Sequence, residues 1–363
     1  MPKKNSIAEQ IEVLQKTIEG LHDAVATNKP QLVPVTVSEI IKTAREELMV
    51  EECNRLNAKL QPDGTMKERD TSTYRAYNTH WKRFEKKYGS KQLSEVTAKN
   101  IADFPKFAAT TAKRIAKARG HEDSNGSRGF NMAIDAMNFL WVIAERDSHA
   151  ASNPILKLTR KKRAKGARHG VPSDKLNEFV QAAGAGGKDP RLDYLIAWFL
   201  CETAARRAGL LNLKLGDLDA QRCTVWLSEK NDLRVEQPVS PSLMHALLEI
   251  AATRSDGKPK SKVFLRLPTA KIKKHRPIDG HYLDAMFKRI RMQLAWAMKL
   301  KFSAHWARHG VLTAVERNWG MSISAKYARH TLGGVTSIYS SADIVDVAKV
   351  LQALTGEKHP LAA

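Results

Sequence analysis

The chain has 363 residues, length for two compact domains, with 42% hydrophobic and 27% charged residues. Lys plus Arg number 60 against 38 Asp plus Glu, a formal charge of +22 that favours a polyanionic partner. No apolar run approaches the roughly 18 residues that cross a bilayer, the N-terminus has no apolar signal core, and Cys53, Cys201 and Cys223 form no CxxC pair, so membrane, secretory and zinc-ribbon classes are set aside.

Ile7, Ile11, Leu14, Ile18, Leu21 and Val25 alternate at spacings of four and three, the a/d pattern of a short coiled coil. A helix docked on its own domain and a self-association helix both fit it. Asn28-Lys29-Pro30 ends this element, and a second helix is expected from about Ser38 to Leu60, before the Gln61-Pro62-Asp63-Gly64 turn. Tyr74, Tyr77, Trp81, Phe84 and Tyr88 then recur at helical spacing with basic residues between, a core stripe rather than a base-stacking surface. Further helices are expected over 97–109, with a break at Pro105, and over 127–146, where Phe130, Ile134, Met137 and Leu140 share a face.

Asn153-Pro154 closes this helical region. From Lys157 to Arg168 the chain carries seven basic residues, Lys157, Arg160, Lys161, Lys162, Arg163, Lys165 and Arg168, and no acid. Such a run is a solvated linker or a segment that neutralises DNA phosphates, and the basic flanks favour the second. Beyond it, Ser173 is the expected N-cap of a helix, residues 192–205 read as an apolar helix, and 223–228 and 234–239 read as a short hairpin. Helices follow over 241–252, 280–300, 305–319, 322–329 and 343–354. The expected organisation is an amphipathic helix (1–30), a connecting helix and linker (31–65), a helical DNA-binding domain (66–156), a basic linker (157–170) and a catalytic domain with a C-terminal helix (171–363). The fold class is mainly α with a small β-hairpin or sheet in the catalytic domain.

The chemistry concentrates near the end. His305-Trp306-Ala307-Arg308-His309, His330 and Tyr339 fall within 35 residues. A phenol has a pKa near 10 and needs help to act as a nucleophile, while guanidiniums match the oxygens of a phosphodiester. Thr203-Ala204-Ala205-Arg206-Arg207, followed by Leu210-Leu211-Asn212-Leu213 and Asp217-Leu218-Asp219, resembles the Thr-Gly-x-Arg turn, Leu-Leu-x-Leu helix and Asp-Ile-Asp ending of the tyrosine recombinase (phage integrase) family. His305-x-x-Arg308-His309 is similar to that family's His-x-x-Arg-His signature, Lys230 to its hairpin lysine, and His330, nine residues before Tyr339, to its last histidine. Thr336 matches a threonine often found between the last two. The resemblance covers roughly residues 66 to 345.

The resemblance implies a two-domain, C-shaped clamp on double-stranded DNA. Tyr339 would be the nucleophile, Arg206 and Arg308 the phosphate clamp, Lys230 the general acid, His305 a proton acceptor or phosphate donor, and His330 a second phosphate donor. It implies no metal and no other cofactor. Four protomers would exchange strands at two DNA sites through a Holliday junction, with accessory DNA-bending proteins as candidate partners and the cytoplasm of a bacterial or phage-type system as the setting. Type IB topoisomerase-like relaxation and a non-catalytic DNA-binding regulator or architectural protein are the alternatives.

Rivals and departures are visible in the same residues. Arg207 competes with Arg206, and Tyr327 with Tyr339. His305 and His309 are spaced like a metal pair, with no third ligand evident. Where relatives often carry an acid after the first arginine, this chain has Gly209. Where they often carry Leu-Gly-His, it has Ala328-Arg329-His330, so the turn into the histidine is expected to be shaped differently. The helix after Tyr339, with Ile344, Val345, Val347, Val350 and Leu351, packs either on its own domain or on a neighbour.

Overall fold

A computed structural model describes residues 14–17, 32–55, 71–118, 125–162, 170–228, 234–330 and 342–362. The expected coiled-coil element lies outside the described residues except for 14–17, which are helical. Lys230, Tyr339, Thr336, Arg163, Lys165 and Arg168 also lie outside them. The chain is mainly α-helical with small antiparallel sheets, and it divides into two compact units, Met1–Gly166 and Ala167–Ala363. No helix among the described residues is long and apolar enough to cross a membrane.

Among the described residues, the first unit is built mainly on α1 (Val37–Arg55), α2 (Ser72–Tyr88), α3 (Ala98–Ala118) and α4 (Ser127–Arg146). Thr71 starts α2 by accepting the Tyr74 N–H at 3.0 Å. The aromatic stripe of α2 faces inward: Trp81 and Phe84 are fully buried, and Trp81 Nε1 donates to the Ala136 carbonyl of α4 at 2.9 Å. Phe84 also meets Phe104 of α3 edge-on at 5.0 Å. The break expected at Pro105 does not occur, because α3 runs through it to Ala118. Pro105 lies on the buried face with Ile101, Phe104, Ala108 and Ala109, and packing of that face against α4 outweighs the lost N–H.

The segment after α4 folds back onto it. Asn131 of α4 donates through Nδ2 to the Lys161 carbonyl and accepts the Lys161 N–H, both at 2.9 Å. Arg160 pairs with Asp135 at 2.5 Å, and Lys161 Nζ lies 4.6 Å from the Phe130 ring centre. The basic run is thus tied to the first unit as far as Lys161.

The second unit begins with α5 (Ser173–Gly184), whose N-cap is Pro172; Ser173 is the first helical residue rather than the cap. α6 (Pro190–Thr203) is capped by Asp189 and buries Leu192, Leu195, Ile196, Phe199 and Leu200. After α7 (Arg207–Asn212) come β1 (Leu218–Asp219), β2 (Thr224–Ser228) and β3 (Arg234–Pro238), an antiparallel sheet in the order β1-β2-β3. The expected hairpin is β2–β3, paired from Thr224↔Pro238 to Ser228↔Arg234. β1 adds a third strand that two residues were too short to announce.

α8 (Pro241–Arg254), a minimal hairpin of β4 (Leu265–Arg266) and β5 (Arg276–Pro277), and α9 (Gly280–Gln293) follow. The helix expected over 280–300 is divided, since Leu294 is extended and α10 (Ala295–Leu300) starts anew. α11 (Ala304–Tyr327) holds Gly320 in a non-helical conformation, φ 85°, at the joint between the two expected helices. Phe179, Phe287 and Phe302 interlock at the core, with Phe179 and Phe302 4.9 Å apart edge to face.

The last helix, α12 (Ile344–Thr355), has a capping box from Asp343 and Asp346 and buries Val347, Ala348, Val350 and Leu351 against α11 and β3 of its own chain. The tail returns to the sheet through buried His359, whose Nε2 lies 3.1 Å from the Cys223 carbonyl while Nδ1 accepts the Leu361 N–H. That pair of partners requires a neutral ring, and burial holds its pKa below the ordinary histidine value.

Candidate active site

The cationic residues gather at one end of the second unit. A cavity of about 890 Å³ is lined by Arg206, His305, Arg308, His309 and His330, with Phe287 and Leu312 among its apolar neighbours. Arg206 precedes α7 with extended backbone and is half-buried. Its position follows from the end of α6, where Ala204 adopts a left-handed conformation, φ 46°, and turns the chain outward. Thr203 supports the turn: its hydroxyl accepts the Ala205 N–H at 3.2 Å.

α11 supplies the next residues. Ala307, Val311 and Val315 face the core, which turns the neighbouring Arg308 inward and leaves His305 exposed on the preceding turn. Arg308 retains 4% exposure. Its Nη1 donates to the Ala204 carbonyl, and its Nη2 donates to the Ala328 carbonyl at 2.5 Å and approaches His330 Nε2 at 3.3 Å. A guanidinium only donates, so this contact makes Nε2 the acceptor and places the His330 ring proton on Nδ1. Burial, together with Arg308, Arg206 and Arg329, holds the His330 pKa below the ordinary value, in keeping with a neutral ring.

His330 is delivered by the end of α11. Its N–H bonds the Ala325 carbonyl, and the Arg329 N–H bonds the Lys326 carbonyl, both at 2.9 Å. These are the paired bonds of a Schellman terminus, with Arg329 in the left-handed position at φ 55°. The shape expected of the glycine-containing turn is therefore retained with arginine in it. Arg329 is also the site's main surprise. Its side chain is buried, and Nη1 donates to the Thr203 and Tyr327 carbonyls at 2.9 and 3.0 Å and to Gln237 Oε1, while Nη2 donates to the Ala204 carbonyl at 3.0 Å. The departure from Leu-Gly-His was the only trace of this in the sequence.

The rivals are occupied elsewhere. Arg207 is exposed, pairs with Asp284 at 2.9 Å and donates to the Gly280 carbonyl. Tyr327 is fully buried and its hydroxyl donates to the Glu202 carbonyl, with burial raising its pKa. Arg207 lines the cavity with its guanidinium held by Asp284, whereas Tyr327 is sealed from it. At Gly209, an added Cβ would stand 3.6 Å from Leu227, an ordinary contact, so the packing of β2 on α7 does not itself demand glycine. Among the described residues, no group of three His, Cys, Asp or Glu gathers that could hold a metal, and His305 and His309 stand 6.2 Å apart between ring centres.

The start of α7 and the two ends of α11 thus bring arginines and histidines to one cavity. The model described as the phage integrase family matches residues 171–344. The second unit thus carries a domain that matches that family. Among solved structures the chain resembles a lambda integrase dimer bound to a COC′ core site, at 14% identity and TM-score 0.55 over 92% of this chain and 86% of that one. It also resembles the Tn1549 transposon integrase in complex with transposon right end DNA, at 12% identity and TM-score 0.57 over 89% and 100%. A lambda integrase tetramer bound to a Holliday junction matches at 14% identity and TM-score 0.56 over 96% and 89%. At these identities the likeness is one of fold. A search of curated proteins finds no match.

Proposed function

We propose that the protein is a site-specific DNA recombinase that cuts and rejoins strands through a 3′-phosphotyrosine on Tyr339. The observation that carries the reading is the convergence of Arg206, Arg308, His305 and His330 on one cavity, from segments up to 124 residues apart in sequence.

In the proposed step the Tyr339 oxygen attacks phosphorus and the bond to the 5′ oxygen breaks. His305 takes the phenolic proton, and Lys230, between β2 and β3, gives a proton to the leaving oxygen. Arg206 and Arg308 stabilise charge on the non-bridging oxygens as five-coordinate phosphorus forms. His330 contributes a ring N–H to phosphate, from Nδ1 while Arg308 holds Nε2, or from Nε2 once that contact is released and the proton has moved there. The phosphotyrosine conserves bond energy, so a 5′-hydroxyl reverses the step without ATP.

Double-stranded DNA is the proposed partner, held over phosphates by the basic segment including Lys157, Arg160, Lys161, Lys162, Arg163, Lys165 and Arg168. Integrases of this fold occur as a dimer on a core site and as a tetramer on a Holliday junction. A homotetramer joining two sites is proposed here by the same logic. α12 packs on its own chain, so assembly by exchange of that helix would require its release.

The test is a nicked half-site suicide substrate cut from the DNA flanking the gene. The expected result is a covalent adduct mapped to Tyr339 and absent from Tyr339→Phe. An adduct that persists in Tyr339→Phe removes the assignment of the nucleophile. Relaxation of supercoiled DNA without strand exchange between sites would favour topoisomerase-like action, and binding with no adduct would favour a non-catalytic role.

A further inference from the structure

Arg329 occupies a position that ordinarily suits glycine. It is the left-handed residue after α11, where a side chain costs about 1 kcal/mol. What the side chain does there is specific. One buried guanidinium reaches the end of α6 through Thr203 and Ala204, the end of α11 through Tyr327, and β3 through Gln237, which is itself 1% exposed. These are the three segments that carry the proposed site: Ala204 stands two residues before Arg206, Tyr327 three before His330, and β3 closes the hairpin that contains Lys230. The Ala204 carbonyl is shared, accepting from Arg308 as well as Arg329.

Resting on the strand-transfer reading above, we infer that Arg329 is a positioning residue for DNA cleavage. Its guanidinium fixes the spacing of Arg206, Arg308 and the β2–β3 hairpin, and thereby the place of the scissile phosphate. It touches the elements that hold the reacting groups and not the phosphate itself.

Glycine separates the backbone role from the side-chain role, because it relieves the left-handed strain while deleting the guanidinium. In the full chain, Arg329→Gly should bind the half-site with affinity near wild type. It should form the covalent adduct about 100-fold more slowly, the penalty of a small misplacement of reacting groups. Sub-denaturing guanidinium ion should restore part of that rate to Arg329→Gly and none to wild type. Gln237→Leu severs only the tie to β3 and should slow adduct formation by a smaller factor at unchanged affinity, giving an independent reading should Arg329→Gly fold poorly. An Arg329→Gly rate equal to wild type, a loss of affinity in proportion to rate, or a slow rate that guanidinium does not raise would each overturn the inference. A wild-type chain that forms no adduct would instead remove the reading on which it rests.

Discussion

Arg45, Arg146 and Arg160 of the first unit and the buried Arg308 and Arg329 of the second are held in opposite ways. In the first unit Arg45 pairs with Glu85 at 2.7 Å, Arg146 with Glu47 at 2.6 Å, and Arg160 with Asp135 at 2.5 Å. Asp147 and then Glu47 push the pKa of Arg146 up, and Asp135 that of Arg160. In the second unit, Arg308 and Arg329 are buried and donate to backbone carbonyls, with Gln237 adding an amide oxygen. Burial first, then Arg329 and Arg206 beside Arg308 and Arg206 beside Arg329, hold both below the ordinary arginine range. A carboxylate neutralises the guanidinium it holds; a carbonyl holds it and leaves the charge for something else. In a site that meets a phosphodiester, that something else is the phosphate.

The largest effect is expected where the comparison is sharpest. Arg308→Ala should slow adduct formation about 10³-fold, as removal of a transition-state donor does, and single-turnover cleavage of a half-site checks it. The buried base of the first unit behaves differently. His80 is 7% exposed, and burial followed by Arg83 pushes its pKa down to about 4. The unfolded chain takes up this proton near pH 6.5 and the folded chain only near 4. The contribution is therefore full above about pH 6.5 and falls as pH drops through that window, by up to about 3 kcal/mol. Urea unfolding of the first unit at pH 7 and pH 4.5 should show the loss, and His80→Gln should flatten it.

A swap of holding groups tests the comparison from the other side. Gln237→Glu gives Arg329 a carboxylate in place of an amide oxygen. It should raise the melting temperature and lower the cleavage rate about tenfold, equivalent to about 1.4 kcal/mol in the barrier. A variant both more stable and equally fast would break the distinction between carbonyl and carboxylate. The smallest effect belongs to the half-buried pair of Arg45 and Glu85. Arg45→Ala should cost at most about 1 kcal/mol of stability and leave cleavage by bound enzyme unchanged.

Much of the scaffold was legible because periodicity reports burial. The helix 127–146 appears with the bounds its apolar face implied, and the two expected strands appear within a residue of theirs. Local rules failed where tertiary packing overruled them: Pro105 stays inside α3, and Leu294 divides a helix that periodicity left whole. Arg206, His305, Arg308 and His330 were readable as a motif, and the structure brings those four to one cavity. Arg329 was not readable, because neither its left-handed backbone nor its reach to Thr203, Ala204 and Gln237 leaves a periodic signal. Lys230 and Tyr339 rest on the sequence motif.

The central claim is that carbonyl-held guanidiniums supply the charge that a cleaving phosphate needs. A half-site whose scissile phosphate is a methylphosphonate lacks one non-bridging oxygen and its negative charge. Measured for wild type and Arg308→Ala on both substrates, the rate deficit of the variant should be large on the phosphodiester and should shrink at least tenfold on the neutral analogue. An equal deficit on both substrates would contradict the account, because Arg308 would then be serving the fold and not the charge.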